Sequence, residues 1–250
     1  IFCIVVAVWV YAFLRNAPTT IGLPSIHEWK GEATEEETDK PTWQKQKAVF
    51  GIRAMWIVAA SSGLMYVTRY AINSWGILFL QESRGYSLTD AGFLMAVNTI
   101  AGIFGSIAYG YISDKFFDAR RPPANLIFAV IEVVALIAIF FGPENYWFQA
   151  MAFAAYGAML SGLMASLGGL FAVDIAPRGA TGAAMGFVGI FSYVAAGLQE
   201  SISAGLISAG VSVVDGARTY DFDVAIYYWI GSSVLSMLLA ATLWNTRIRD

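Results

Sequence analysis

Residues 51–80 read GIRAMWIVAASSGLMYVTRYAINSWGILFL, an apolar stretch whose only charged residues are Arg53 near its start and Arg69 in its middle. As one helix rising ~1.5 Å per residue, it would be about 45 Å long. The hydrocarbon core of a bilayer is ~30 Å thick, so such a helix must tilt, kink or project beyond the membrane. The stretch therefore predicts a membrane-spanning helix.

Apolar stretches of the same kind recur along the chain. Five follow the first, at 91–113, 126–141, 147–173, 180–209 and 225–244, and the tail of another occupies 1–14. Backbone groups in hydrocarbon must satisfy their own hydrogen bonds, which favours helices. We predict an all-α membrane protein, with a six-transmembrane-helix bundle preceded by the end of another helix.

The composition agrees with a membrane protein. Of the 250 residues, 58% are hydrophobic and 13% are charged, whereas soluble domains carry about 25% charged residues. The mean hydropathy is +0.61. Cys3 is the only cysteine, which excludes an internal disulfide framework.

Basic residues predict the orientation, because Lys and Arg are enriched in cytoplasmic connections. One side of the predicted bundle collects most of them: Arg15, Lys30, Lys40, Lys45, Lys47, Arg53, Lys115, Arg120, Arg121, Arg178, Arg247 and Arg249. The other side has only Arg84 and Arg218. This bias places the 16–50 connection, the 114–123 and 174–179 turns and the C-terminus in the cytoplasm. We expect a multi-pass protein of the cell inner membrane.

We divide the chain into three parts. Residues 1–15 are the end of a transmembrane helix, 16–50 a charged cytoplasmic central loop, and 51–250 a six-helix transmembrane domain. The last part of the loop, from Pro41 onward, is predicted to form an amphipathic helix on the membrane surface. Because the chain opens within an apolar stretch and six spans follow a long loop, we expect the second half of a 6+6 transporter.

Signals of enzymatic chemistry are missing from the sequence. The dipeptide Gly-Lys never occurs, which excludes a phosphate-binding P-loop. His27 is the only histidine and Cys3 the only thiol. No metal-ligand cluster and no nucleophile–base pair can be built on them. We predict that the protein is not an enzyme and needs no metal or cofactor.

Arg69 is the residue that points to function. An arginine at the centre of a span costs about 2.5–3.5 kcal/mol on translocon scales, so pairing, water or a ligand must compensate it. It could form an ion pair inside the bundle, or it could bind an anion, since its planar guanidinium matches phosphate oxygens. Tyr66 and Asn73, at i−3 and i+4, share its helix face. Tyr70 and Trp75 are near it in sequence, but an aromatic residue in a span can equally be core or lipid-facing.

Two carboxylates also lie deep in predicted spans. Glu200 could pair with an arginine, carry a proton, or lie near a helix end at the far surface. Glu132 could have a functional role, or it could form a hydrogen bond between helices. Asp174, just before Pro177, is expected at the membrane interface.

Four stretches carry a resemblance to a known family. They are NAPTTIGLPSIHEWK at 16–30, YVTRYAINSW at 66–75, GYISDK at 110–115 followed by Arg120 and Arg121, and APRGATG at 176–182 continuing to GIFSY at 189–193. In this order they resemble the C-terminal half of the organophosphate:phosphate antiporters, a branch of the major facilitator superfamily. The resemblance covers nearly the whole chain.

The resemblance implies a function. Such a protein exchanges a phosphorylated small organic molecule, of the sugar phosphate or glycerol phosphate type, for inorganic phosphate. Arg69 would be the phosphate clamp of this half, and Tyr66, Tyr70 and Tyr193 would line the cavity with Asn73, Trp75 and Glu200 nearby. The partners would be these substrates, the lipid bilayer and the N-terminal half of the transporter, with no nucleic acid. A sugar-phosphate sensor of the same fold, signalling to a membrane kinase, is the alternative.

The resemblance also implies a gate at the cytoplasmic turn. Asp114 would hold the cytoplasmic side closed, beside Lys115, by meeting a helix N-terminus or a basic residue such as Arg178. The sequence departs from the family elsewhere. Several relatives carry an acid where this chain has Asn98-Thr99, and hexose-phosphate carriers have a lysine where this chain has Gln199-Glu200.

Overall fold

The computed structural model describes residues 2–14, 18–24, 42–118, 120–177, 179–214 and 217–244. Two compact units are present, Ile1–Pro41 and Thr42–Asp250. The first contains helix α1, Phe2–Phe13, and a 3-10 turn, Pro18–Ile21.

The second unit is almost entirely helical. Its elements in chain order are α2, Thr42–Phe50; α3, Arg53–Glu82; α4, Leu88–Phe116; α5, Arg121–Phe141; α6, Tyr146–Ala165; a π-helical segment, Ser166–Leu170; α7, Phe171–Ile175; α8, Thr181–Ala209; β1, Val211–Val214; β2, Ala217–Tyr220; and α9, Asp223–Ala241. The helix α6, the π segment and α7 form one rod, Tyr146–Ile175. Six long rods therefore occupy the six predicted spans, and the all-α prediction is confirmed.

Five of these six rods are long and apolar enough to cross a membrane by length and composition. The sixth, α3, has 30 residues but is less apolar, because it contains Arg69 and a run of serine, tyrosine and asparagine residues. It is the most polar of the six rods, so a binding site for a polar ligand is expected beside it.

The strands β1 and β2 lie in the connection between the last two spans, for which no secondary structure was predicted. They pair antiparallel, with Val211 opposite Tyr220 and Val214 opposite Ala217. The sequence between them is Asp215-Gly216, a dipeptide that favours two-residue hairpin connections.

Neighbouring helices define the order of the bundle. The helix α3 packs between α8 and α9, α9 also packs on α5, α5 on α6, and α6 on α4. Serine pairs join α3 to its neighbours. Ser61 and Ser236 each donate to the other's backbone carbonyl, at 2.9 and 2.8 Å, and Ser62 lies 2.8 Å from the Ser192 hydroxyl. Such small polar residues allow close helix contact in membranes.

The crossing of α4 and α6 is closer still. A Cβ atom at Gly105 would collide with the backbone of Ala158, and one at Gly157 would collide with the backbone of Asn98. Only glycine fits at these positions, and it lets the two backbones touch.

Arg84 lies just after α3 and serves the end of another helix. Its Nη2 donates to the carbonyl of Phe140 at 2.6 Å and to that of Ile139 at 3.3 Å, and its Nη1 lies 3.6 Å from Glu144. Cations at a helix C-terminus satisfy carbonyls that have no partner within the helix. Arg84 is therefore occupied by the fold.

Candidate substrate site

The predicted residues of α3 form an aromatic setting for Arg69. Its guanidinium carbon lies 5.4 Å from the centroid of the Tyr66 ring and 5.6 Å from that of Tyr70. The two tyrosine rings stack with centroids 6.0 Å apart, and Tyr193 from α8 meets Tyr66 edge-on at 5.7 Å. The packing of α8 on α3 thus places Tyr193 beside the cluster that Tyr66, Arg69 and Tyr70 form on α3.

Arg69 has no acidic partner in the described part of the chain. No carboxylate there lies within 4.0 Å of its guanidinium, whereas the ion pairs that are present involve Arg84 and Arg121. The tyrosine rings attract a cation by about 0.5–2 kcal/mol but do not neutralise its charge. The ion pair considered as one alternative for Arg69 is therefore absent among the described residues. The positive charge of Arg69 is available to an anion.

A cavity of about 190 Å³ opens beside Arg69. Its polar lining comes from three helices: Arg69 and Asn73 of α3, Asn98 and Thr99 of α4, and Ser161 of α6. Gly157, Leu160 and Met164 complete the wall. Arg69 is the one charged group among these lining residues, so the cavity combines a cation with neutral hydrogen-bonding groups.

Of the predicted site residues, Arg69 and Asn73 line this cavity, whereas five do not: Tyr66, Tyr70, Trp75, Tyr193 and Glu200. Glu200 accepts a hydrogen bond from the Ser74 hydroxyl at 2.5 Å, which joins α8 to α3. Trp75 is half-buried against the core, and its indole nitrogen is buried without a hydrogen-bond partner among the described residues. Neither residue is part of the cavity lining.

A larger cavity, of about 370 Å³, lies beside Arg84, Phe140 and the end of the hairpin. Its lining also contains Asp221 and Asp223. Its arginine is bound to backbone carbonyls, and the negative charges of Asp221 and Asp223 repel anions. The lining of the smaller cavity, with Arg69 and no carboxylate, is therefore the more compatible with an anion.

Of the predicted gate residues, Asp114 contacts a different arginine from the one expected. Arg121, the first residue of α5, donates from Nη1 to Asp114 at 3.1 Å and to Ser113 at 2.9 Å, and from Nε to Asp174 at 2.9 Å. Asp114 therefore meets Arg121 in this structure. Arg178 lies outside the described residues. Lys115 donates to the Tyr111 hydroxyl at 2.5 Å.

Exposure separates the two acids. The side chain of Asp114 is 65% exposed, that of Asp174 is 20% exposed, and that of Arg121 is 11% exposed. The Arg121–Asp174 contact is thus the better shielded, and it ties the start of α5 to α7. The prediction singled out Asp114 because of its motif and gave Asp174 no role beyond the interface.

Glu132 joins two helices. It is buried, and it accepts a hydrogen bond from the Ser233 hydroxyl of α9 on Oε2. Its Oε1 has no hydrogen-bond partner among the described residues. Of the two readings of this residue, the interhelical hydrogen bond is the one present in the structure.

The described residues contain no set of three or more His, Cys, Asp or Glu side chains that could hold a metal ion.

Comparison with known proteins places the chain in a family. A profile of the Major Facilitator Superfamily matches residues 1–199. The chain belongs to the Major Facilitator Superfamily. It is thus a multi-pass membrane protein that contains part of the bundle typical of that superfamily.

Similar proteins indicate which branch of the Major Facilitator Superfamily the chain resembles. The chain is 26% identical to the glycerol-3-phosphate transporter of Haemophilus influenzae, over 95% of this chain and 52% of the relative. It is 33% identical to the membrane sensor protein UhpC of Escherichia coli, over 78% and 46%. It is 24% identical to the hexose-6-phosphate:phosphate antiporter of Salmonella typhimurium, over 80% and 44%. The chain spans about half the length of these relatives, and their names confirm the resemblance to the organophosphate:phosphate antiporter branch.

Proposed function

We propose that this chain is half of an inner-membrane transporter that exchanges a sugar phosphate or glycerol phosphate for inorganic phosphate. The observation that carries the proposal is Arg69, a cation within a span whose guanidinium has no carboxylate nearby among the described residues. It borders a cavity with neutral polar walls. A phosphate group offers two oxygens to the planar guanidinium and would compensate the charge.

The tyrosines support the same role. Tyr66 and Tyr70 hold Arg69 by ring contacts, so the guanidinium is positioned without being neutralised. Relatives named as glycerol-3-phosphate transporters and a hexose-6-phosphate:phosphate antiporter support phosphorylated substrates. The other cavity wall would come from the N-terminal half, and the two halves would rock about a site near the membrane midplane.

The test is exchange of labelled phosphate by the full-length protein in liposomes. We expect Arg69→Lys to weaken phosphate binding by roughly tenfold or more, because an ammonium cannot make the two-pronged contact. Arg84→Lys is the matched control, since Arg84 serves backbone carbonyls. Near-native phosphate binding by Arg69→Lys would refute the assignment.

A sensor is the second candidate, favoured by the 33% identity to UhpC. A sensor needs the same phosphate site but no turnover. Binding of a sugar phosphate without phosphate exchange by the full-length protein would favour this alternative over transport.

A further inference from the structure

The α4 wall of the Arg69 cavity carries a hydrogen-bond acceptor that has no partner in the described part of the chain. Asn98 is 8% exposed and lines the cavity. Its Oδ1 atom is buried and has no hydrogen-bond partner among the described residues. Buried polar atoms are nearly always paired in native proteins, so an unpaired one on a residue that lines a cavity is an acceptor that a ligand donor can satisfy.

The close crossing of α4 and α6 fixes this acceptor in place. A Cβ atom at Gly157 would lie 2.6 Å from Asn98 Oδ1, and one at Gly102 would collide with the Ser161 hydroxyl. The two glycines thus make room for the two polar side chains. Asn98 and Ser161 are held at a set spacing on adjacent helices, which lowers the ordering cost of binding.

We propose that Asn98 and Ser161 form a subsite for a hydroxyl group of the substrate, beside the phosphate position at Arg69. The inference rests on the proposed function and specifies its substrate class, a phosphate ester of a polyol. Asn98 Oδ1 accepts the hydrogen of the substrate hydroxyl. The Ser161 hydroxyl donates to the oxygen of the same group.

The alternative donors fit less well. A substrate ammonium would also satisfy Asn98 Oδ1, but it would sit beside the guanidinium of Arg69 in a cavity whose described lining includes no carboxylate. Thr99 is less suited than Ser161, because its hydroxyl donates to the Met95 carbonyl of its own helix at 3.0 Å. A neutral hydroxyl and the Asn98–Ser161 pair are therefore complementary.

The experiment measures preference among phosphate esters. Liposomes with the full-length protein are loaded with phosphate, and uptake of labelled phosphate is competed by glycerol 3-phosphate, glucose 6-phosphate or propyl phosphate, which has no hydroxyl. We expect the parent to prefer one of the polyol phosphates over propyl phosphate. Asn98→Ala should reduce this preference roughly tenfold, the effect of one hydrogen bond, because propyl phosphate has no hydroxyl to lose.

Further variants make the result decisive. Ser161→Ala should lower the same preference, and it decides the matter if Asn98→Ala does not fold. Ser106→Ala is the control, since its hydroxyl donates to Ile103 of its own helix. The subsite is refuted if the parent has no preference or if both variants keep it. If the unmutated full-length protein did not exchange phosphate at all, the proposed function itself would be refuted.

Discussion

Arg121 decides, at the scale of single residues, how the predicted cytoplasmic ends of the helices are held together. It links α4 through Ser113 and Asp114 to α7 through Asp174. An exposed ion pair contributes about 0–1 kcal/mol, whereas a shielded one with good geometry contributes more. The contact to Asp174 is therefore expected to matter more than the contact to Asp114.

This difference predicts a ranking in transport. If the cluster closes the cytoplasmic side in one state only, its loss shifts the balance between states. We expect Asp174→Asn to slow phosphate exchange more than Asp114→Asn, with little change in phosphate affinity for either. Glu144→Gln, which alters an exposed acid paired with Arg84, is the control. Parent-like exchange by Asp114→Asn and Asp174→Asn would show that neither acid takes part in gating.

Single residues also show the limit of what the sequence could predict. Arg69, Tyr66, Tyr70 and Asn73 were predicted as one group because they lie on one helix, and Tyr66 and Asn73 follow helical spacing from Arg69. Asn98 and Ser161 come from two other helices, and their meeting depends on which helices are neighbours. That information is contained in the packing of α4 on α6 and in no local pattern, so the cavity could not be assembled from the sequence.

At the scale of elements, two sections of the rod Tyr146–Ile175 differ in how closely their glycines pack against neighbouring helices. In α6, Gly157 lies where an added Cβ atom would meet α4. In the π segment, a Cβ atom at Gly168 would meet nothing within 4 Å, and one at Gly169 would meet only Met185 at 3.5 Å. The first glycine is required by packing and the other two are not.

Stability measurements should separate these sections. Gly157→Ala forces backbones apart, and overpacking of this kind costs about 1–3 kcal/mol. Gly168→Ala meets no neighbour, and replacing a helical glycine by alanine is worth about 0.5–1 kcal/mol. We expect the apparent melting temperature of the purified full-length protein to fall for Gly157→Ala and to stay or rise for Gly168→Ala. Equal losses would contradict the close crossing.

Elements were predicted where composition alone determines them. The six helices were found because long apolar runs have no other stable form in a bilayer. The π segment was not, because a π turn depends on local packing and leaves the apolar pattern of 147–173 unbroken.

The whole molecule carries a prediction about its orientation. The basic-residue bias places the turn after α4 in the cytoplasm and the hairpin on the opposite side. In a background without other thiols, we expect Thr219→Cys, exposed on β2, to react with a membrane-impermeant thiol reagent in intact cells. Arg120→Cys, exposed before α5, should react only after the cells are opened. Labelling of Arg120→Cys alone from outside would reverse the orientation.

The tight crossing of α4 and α6 prevents these two helices from sliding past each other, because their backbones already touch at Gly105 and Gly157. The π segment lies beyond Ser161 on the same rod and has no such constraint at Gly168. Bending there would displace Asp174 and leave the distance between Asn98 and Ser161 as it is. A molecule bound at Asn98 and Ser161 would then keep its contacts with both side chains while the rod bends.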